Sequence, residues 1–187
     1  MREQVAELLA NKKDLLTVTY FKLQKLFEKK YGVNTVVLME IGTFFEVYEV
    51  NNDEEKIGKA KEIAELLNIQ LTRKNKSILE NSKENPIMAG VPAISLEKHL
   101  ARIIAEQKYT VVLIKQKGIP PNVTRYLDTV VSPGTNFDFV LDQDENNITS
   151  LLIDQIRGIY LVGYSAIDVT TGKCYYNEVH GTSEDKF

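Results

Sequence analysis

One cysteine and two histidines are all that the 187 residues offer toward soft-metal or disulfide chemistry. Cys174 alone permits neither an internal disulfide nor a cysteine-based cluster, and it reads as a small strand residue. His99 and His180 lack ligand-like spacing, and His99 fits the border of a solvated helix face better than a ligand or a base. No metal site is expected. The chain also lacks G-x-x-x-x-G-K-[ST] and G-x-G-x-x-G, so there is no phosphate-cradling loop from which an ATPase could be argued. No run approaches the roughly 18 apolar residues of a membrane helix. The start, MREQVAELLANKK, has neither the apolar core of a signal peptide nor the acid-poor character of a transit peptide. A cytosolic or nuclear setting is expected, without membrane association. Internal repeats and low-complexity tracts are likewise missing.

What is present suffices for a packed core, with 43% hydrophobic residues and a formal charge of -3. The acidity is uneven. Residues 1–139 are slightly basic and residues 140–187 carry the acidic excess. The shift coincides with FDFVLDQDENN, a polar stretch that predicts a linker at about residues 138–147. Two domains are therefore expected, over residues 1–139 and 140–187.

The first region alternates strands and helices, which predicts an α/β domain with a mixed sheet flanked by helices. Thr17 to Lys30 has a helical stripe and a natural stop at Gly32; Thr35 to Ile41 reads as an apolar strand. Asn52 predicts the start of an amphipathic helix with Ile57, Ala60, Ile63, Ala64 and Leu67 on one side. IQLTRK reads as a strand, NKSILENSKEN as a loop and PIMAGVP as a short extended piece. Ser95 is placed to cap a helix buried through Leu96, Leu100, Ile103 and Ile104, and TVVLIKQ and TRYLDTVV are further strands. The second region reads as three strands in succession, the last two joined by a tight turn at Thr171 and Gly172. No helices follow to cover this meander, so it is expected to be a truncated domain.

MEIGTFFEVYEV, residues 39–50, poses the central question. Period-2 alternation sets Phe44, Glu46 and Tyr48 on one face and Phe45 and Val47 on the other. A buried face would not want Glu46, and a solvated face would not want Phe44. Arg73, Lys74 and Lys76 form a basic cluster that reads either as a solvated loop or as a phosphate site. Asp168, in AIDVTTG, either enters a hairpin turn by local hydrogen bonding or serves as one carboxylate of a metal nuclease, for which no converging partners are identifiable. A third possibility is that Phe44, Phe45 and Tyr48 form a protein-binding patch.

The order and spacing of MEIGTFFEVY (39–48), IQLTRK (69–74), PIMAGVP (86–92), LIKQK (113–117) and VVSPGT (130–135) resemble the amino-terminal mismatch-recognition domain of the MutS family. The resemblance covers about residues 17–135, and YLVGYSAIDVTTGKCYYNE is similar to the first strands of that family's connector domain, which is ribonuclease-H-like without nuclease use. It implies that Phe44 enters the minor groove and stacks on a mispaired or unpaired base, and that Glu46 hydrogen-bonds that base. It further implies that Arg73 and Lys74 contact phosphates and that Met88 lies near the DNA, the alternative for Met88 being a core filler. Bacterial members of the family commonly have a Tyr-His pair where Ala93 and Ile94 stand, which suggests a divergent branch. Its members bind mismatched double-stranded DNA and dimerise through domains beyond the matched ones. ATP and magnesium belong to the whole protein, with no cofactor and no catalytic residue implied in this segment. The setting is then cytoplasmic and nucleoid-associated in a bacterium or archaeon, nuclear or organellar in a eukaryote. A divergent homologue that reads DNA structure or binds protein, without a dedicated role in mismatch repair, is the alternative.

Overall fold

The computed structural model describes residues 1–119, 121–135 and 147–182. They fall into two compact units, Met1–Pro133 and Gly134–Phe187. At the centre of the first is strand β1 (Thr35–Ile41), apolar almost throughout because both of its faces are covered. It pairs antiparallel with β2 (Phe44–Asn51) across a two-residue link, in which Gly42 takes φ +62°. On its other side it runs parallel to β6 (Thr110–Lys117). β5 (Ile87–Pro92) lies along β2, the two-residue β4 (Thr72–Arg73) forms one edge and β7 (Thr124–Val131) the other. The sheet is mixed, as expected.

Helices cover both faces. α1 (Arg2–Ala10) and α2 (Leu16–Tyr31) pack over Val37, Met39, Tyr48, Val112 and Ile114. α3 (Ala60–Leu67) and α4 (Leu96–Ala105) cover the opposite face, where Val36, Leu38, Phe45 and Val47 point by alternation. α2 also completes the hydrogen bonding of β1, because β2 reaches only residues 39–41 and leaves the first half of β1 without a strand on that side. Gln24 donates to the Thr35 carbonyl (2.7 Å) and accepts from the Val37 N–H (3.0 Å), while the Tyr20 hydroxyl donates to the Val37 carbonyl (2.8 Å). Buried backbone groups demand such partners, which explains a buried glutamine in the middle of an apolar face.

Three expectations are corrected. Asn52 does not begin a helix: its side-chain oxygen accepts from the N–H groups of Glu54 and Glu55, making a local turn. The turn leads into β3 (Lys56–Gly58), which pairs with the far end of β2, so Ile57 belongs to a strand and α3 starts only at Ala60. Gly58 is required there. Its φ is +87°, and a Cβ would lie 2.1 Å from the Tyr48 carbonyl oxygen. Of IQLTRK only Thr72 and Arg73 form strand. α1 is an element beyond those expected, although Val5, Leu8 and Leu9 share the 3–4 spacing of a buried stripe. Ser95 precedes α4, but its hydroxyl bonds the Pro92 carbonyl rather than the helix.

The second unit is a three-stranded antiparallel sheet of β8 (Asn147–Ile156), β9 (Ile159–Asp168) and β10 (Cys174–Gly181), in the order β10-β9-β8. Arg157 and Gly158, both at positive φ, join the first pair as a two-residue hairpin turn. Most of the expected linker, residues 138–146, lies outside the described residues, and Asn147 opens β8.

Candidate nucleic-acid interface

The contradiction in the face of β2 resolves along the strand, because burial rises steadily from its first residue. Phe44 is 45% exposed, the Glu46 side chain is 13% exposed, and Tyr48 is fully buried beneath α2. One face thus passes from solvent to core within five residues. On the other face Phe45 (2% exposed) and Val47 are buried, anchoring the strand that carries the exposed ring. With Phe45 and Tyr48 both buried, an aromatic patch of Phe44, Phe45 and Tyr48 is not available to a protein partner.

β5 completes the surroundings. Its register sets Pro92 opposite Phe44, Gly90 opposite Glu46 and Met88 opposite Tyr48, so these residues share the face. Gly90 brings a bare backbone close against the pair: a Cβ there would stand 3.3 Å from the Phe45 carbonyl oxygen, 3.5 Å from Glu46 Cγ and 3.8 Å from Phe44 Cδ1. The Ala93 N–H bonds the Thr43 carbonyl at 2.8 Å and ties the end of β5 to the β1–β2 turn. Ile94 follows, 99% exposed.

Glu46 is held from within. The Tyr48 hydroxyl donates to Glu46 Oε2, and Lys74 Nζ donates to the same oxygen at 3.2 Å and to the Tyr48 hydroxyl at 3.2 Å. The ammonium also stands 5.4 Å from the Tyr48 ring centroid. Burial, then the Glu46 charge, pushes the Tyr48 phenol far above its ordinary range, so it remains a donor throughout neutral pH. Arg125 of β7 lies within electrostatic reach of Tyr48, Glu40 and Glu46; burial lowers its pKa and those groups oppose the shift.

Among the five residues singled out in sequence, the structure brings Phe44, Glu46, Lys74 and Met88 to one face. Met88 is half-buried against the core cluster there. Arg73 points to the opposite face by strand alternation, and its guanidinium donates to the carbonyls of Ile78 and Leu79. That loop is organised further by buried Asn85, which accepts from the Asn75 N–H (2.7 Å) and donates to the carbonyls of Ile78 (3.1 Å) and Glu80 (3.0 Å). Sequence reasoning passed over Asn85 and Arg125, and it set Tyr48 on the face of Glu46 without its role as a donor to that carboxylate. The only available signal was the i, i+2 spacing of Glu46 and Tyr48.

The weaker candidates take ordinary roles. Asp168 is buried and accepts from the Thr170 N–H (3.0 Å), the Thr170 hydroxyl (2.7 Å) and the Thr171 hydroxyl, the hairpin-turn arrangement. Among the described residues no group of three His, Cys, Asp or Glu side chains is disposed to hold a metal ion. His99 lies half-buried on α4, its pKa lowered by burial and then by Lys98 and Arg102. No helix among the described residues is long and apolar enough to cross a membrane.

Fold and site together define an α/β domain that offers an aromatic ring and a clamped carboxylate on one face of its sheet, beside the β1–β2 turn. A family profile described as MutS domain I matches residues 19–140. A protein of Acanthamoeba polyphaga mimivirus named as a DNA mismatch repair MutS homologue is 30% identical over 184 residues, which is 95% of this chain and 16% of the relative. The DNA mismatch repair protein MutS of Fusobacterium nucleatum is 29% identical over 154 residues, 79% of this chain and 16% of the relative. That of Halothermothrix orenii is 27% identical over 159 residues, 82% and 16%. The chain belongs to the MutS family and carries its domain I. It spans 16% of the length of these relatives.

Proposed function

We propose that this chain recognises mispaired or unpaired bases in double-stranded DNA, as the amino-terminal part of a MutS-like mismatch repair protein. Phe44 acts as the wedge and Glu46 as the acceptor that tests the base beside it. The observation that carries the reading is the graded face of β2, where an exposed ring and a half-buried carboxylate stand on a strand anchored from behind by Phe45 and Val47. Inserting a ring between base steps costs a few kcal/mol of unstacking and kinks the duplex; a mismatched step has already lost part of that stability. Discrimination then follows from deformability. Glu46 adds to it, since a carboxylate near phosphates disfavours intact duplex while a mispaired base can offer an N–H donor.

Lys74 stands next to Glu46 and serves both the carboxylate and a passing phosphate strand. Met88 supports the face beneath it, and Arg73 acts at the sheet edge through the loop that it holds. The second unit is read as the opening strands of a ribonuclease-H-like connector domain. In the whole protein, dimerisation and an ATPase using ATP and magnesium would reside outside this chain, and none of its residues is assigned to them. The test is titration of the full-length protein with matched and single-mismatch duplexes. Phe44→Ala is expected to abolish the preference for the mismatch, and a preference kept intact in that variant refutes the wedge.

A further inference from the structure

We infer that Tyr48 is a positioning residue for base recognition: together with Lys74 it holds Glu46 by Oε2, so that Oε1 is the oxygen offered to a base. The inference rests on the reading of Phe44 and Glu46 as the mismatch probe. A free carboxylate has two equivalent oxygens and a rotating terminal torsion, and fixing it at a base removes that freedom upon binding. Here the freedom is already removed. Both contacts made to Glu46, from the Tyr48 hydroxyl and from Lys74 Nζ, fall on Oε2, and Oε1 has no partner among the described residues.

The clamp is rigid because of where Tyr48 stands. Its ring is fully buried and meets Tyr20 edge-on, with centroids 4.9 Å apart and planes at 81°. Its backbone is pressed against Gly58, which has no room for a side chain. Alternation along β2 turns residues 46 and 48 to the same side, so the hydroxyl reaches back along the strand toward the groove-facing end. A phenol needs an acceptor for its proton, and a lysine ammonium has none to give, so the Glu46 carboxylate is the acceptor and Lys74 the second donor. The bare backbone of Gly90 keeps the space beside Glu46 and Phe44 clear of a side chain. A buried core tyrosine thereby sets the orientation of the residue that reads the base.

The test is a double-mutant cycle on the full-length protein, with Tyr48→Phe, Glu46→Ala and the combination titrated against matched and single-mismatch duplexes, and Phe44→Ala alongside. Tyr48→Phe keeps the ring and its packing. It is expected to lower mismatch affinity about three- to tenfold more than matched affinity, the scale of one oriented hydrogen bond. In the Glu46→Ala background the same substitution is expected to leave the ratio of the two affinities unchanged. Lys74→Met is the second handle on the same oxygen, and the same pattern is expected of it, including where Tyr48→Phe fails to fold. An unaltered ratio in the single variants, or an equal fall in both Glu46 backgrounds, overturns the positioning role and leaves the wedge standing. Mismatch preference that survives Phe44→Ala overturns the underlying reading instead.

Discussion

Truncating Phe44 and Phe45 in turn separates a probing ring from a structural one, because the two are chain neighbours of the same type on opposite faces of one strand. Phe45 is 2% exposed and packs on the face covered by α3 and α4. Phe45→Ala removes most of a buried ring and leaves a cavity, a loss of about 3 to 5 kcal/mol. Domains of this size have about 5 to 15 kcal/mol of stability in total, so that loss takes a large fraction of it. At a few degrees per kcal/mol the melting temperature should fall by about 10 to 20 °C. Phe44 is 45% exposed, leaves no comparable cavity, and its truncation should change stability by less than about 1 kcal/mol. Thermal unfolding of both variants, followed by far-UV circular dichroism, makes the measurement without DNA. Equal destabilisation by the two substitutions, or a larger effect at Phe44, would show that the ring is part of the core and refute its assignment as a wedge.

Two further outcomes follow from the same geometry. Glu46→Ala removes a charge from the face proposed to meet DNA and releases Lys74 from the carboxylate, so that its ammonium can pair with a phosphate. Affinity for matched duplex should rise while affinity for a mismatch holds or falls. The log–log salt slope should steepen by about 0.9 for the one added phosphate contact, measured by paired titrations at two salt concentrations; equal losses for both duplexes would reduce Glu46 to a structural hydrogen-bonding residue. Gly58→Ala combines a positive φ with a Cβ 2.1 Å from the Tyr48 carbonyl oxygen. It should therefore destabilise by more than the ~1 kcal/mol of an ordinary glycine replacement, read from urea midpoints, and an unchanged midpoint would contradict the close approach of β3 to β2.

Much of the fold is legible in the sequence where local pattern and burial coincide. The apolar run of β1 announces a strand covered on both faces, and Leu96, Leu100, Ile103 and Ile104 mark the buried side of α4 with the helical period. The alternation of Phe44, Phe45, Glu46 and Val47 likewise identified which ring is anchored and which is free. Local pattern failed where a residue's role depends on a distant partner. Ile57 continues the periodicity of the helix that follows it, yet the open side of β2 draws it into a strand. Gln24 reads as a helix-surface residue until the unpaired half of β1 is laid beneath it. Arg73 and Lys74 are adjacent in sequence and basic alike, but strand alternation at the sheet edge sends one to the loop carbonyls and the other to Glu46. Tyr48 and Lys74 are 26 residues apart, and β5 must lie between their strands before the two can meet on one oxygen of Glu46. Periodicity is a property of neighbouring residues and survives in a string of letters. A clamp built from three strands exists only once the sheet has brought them together.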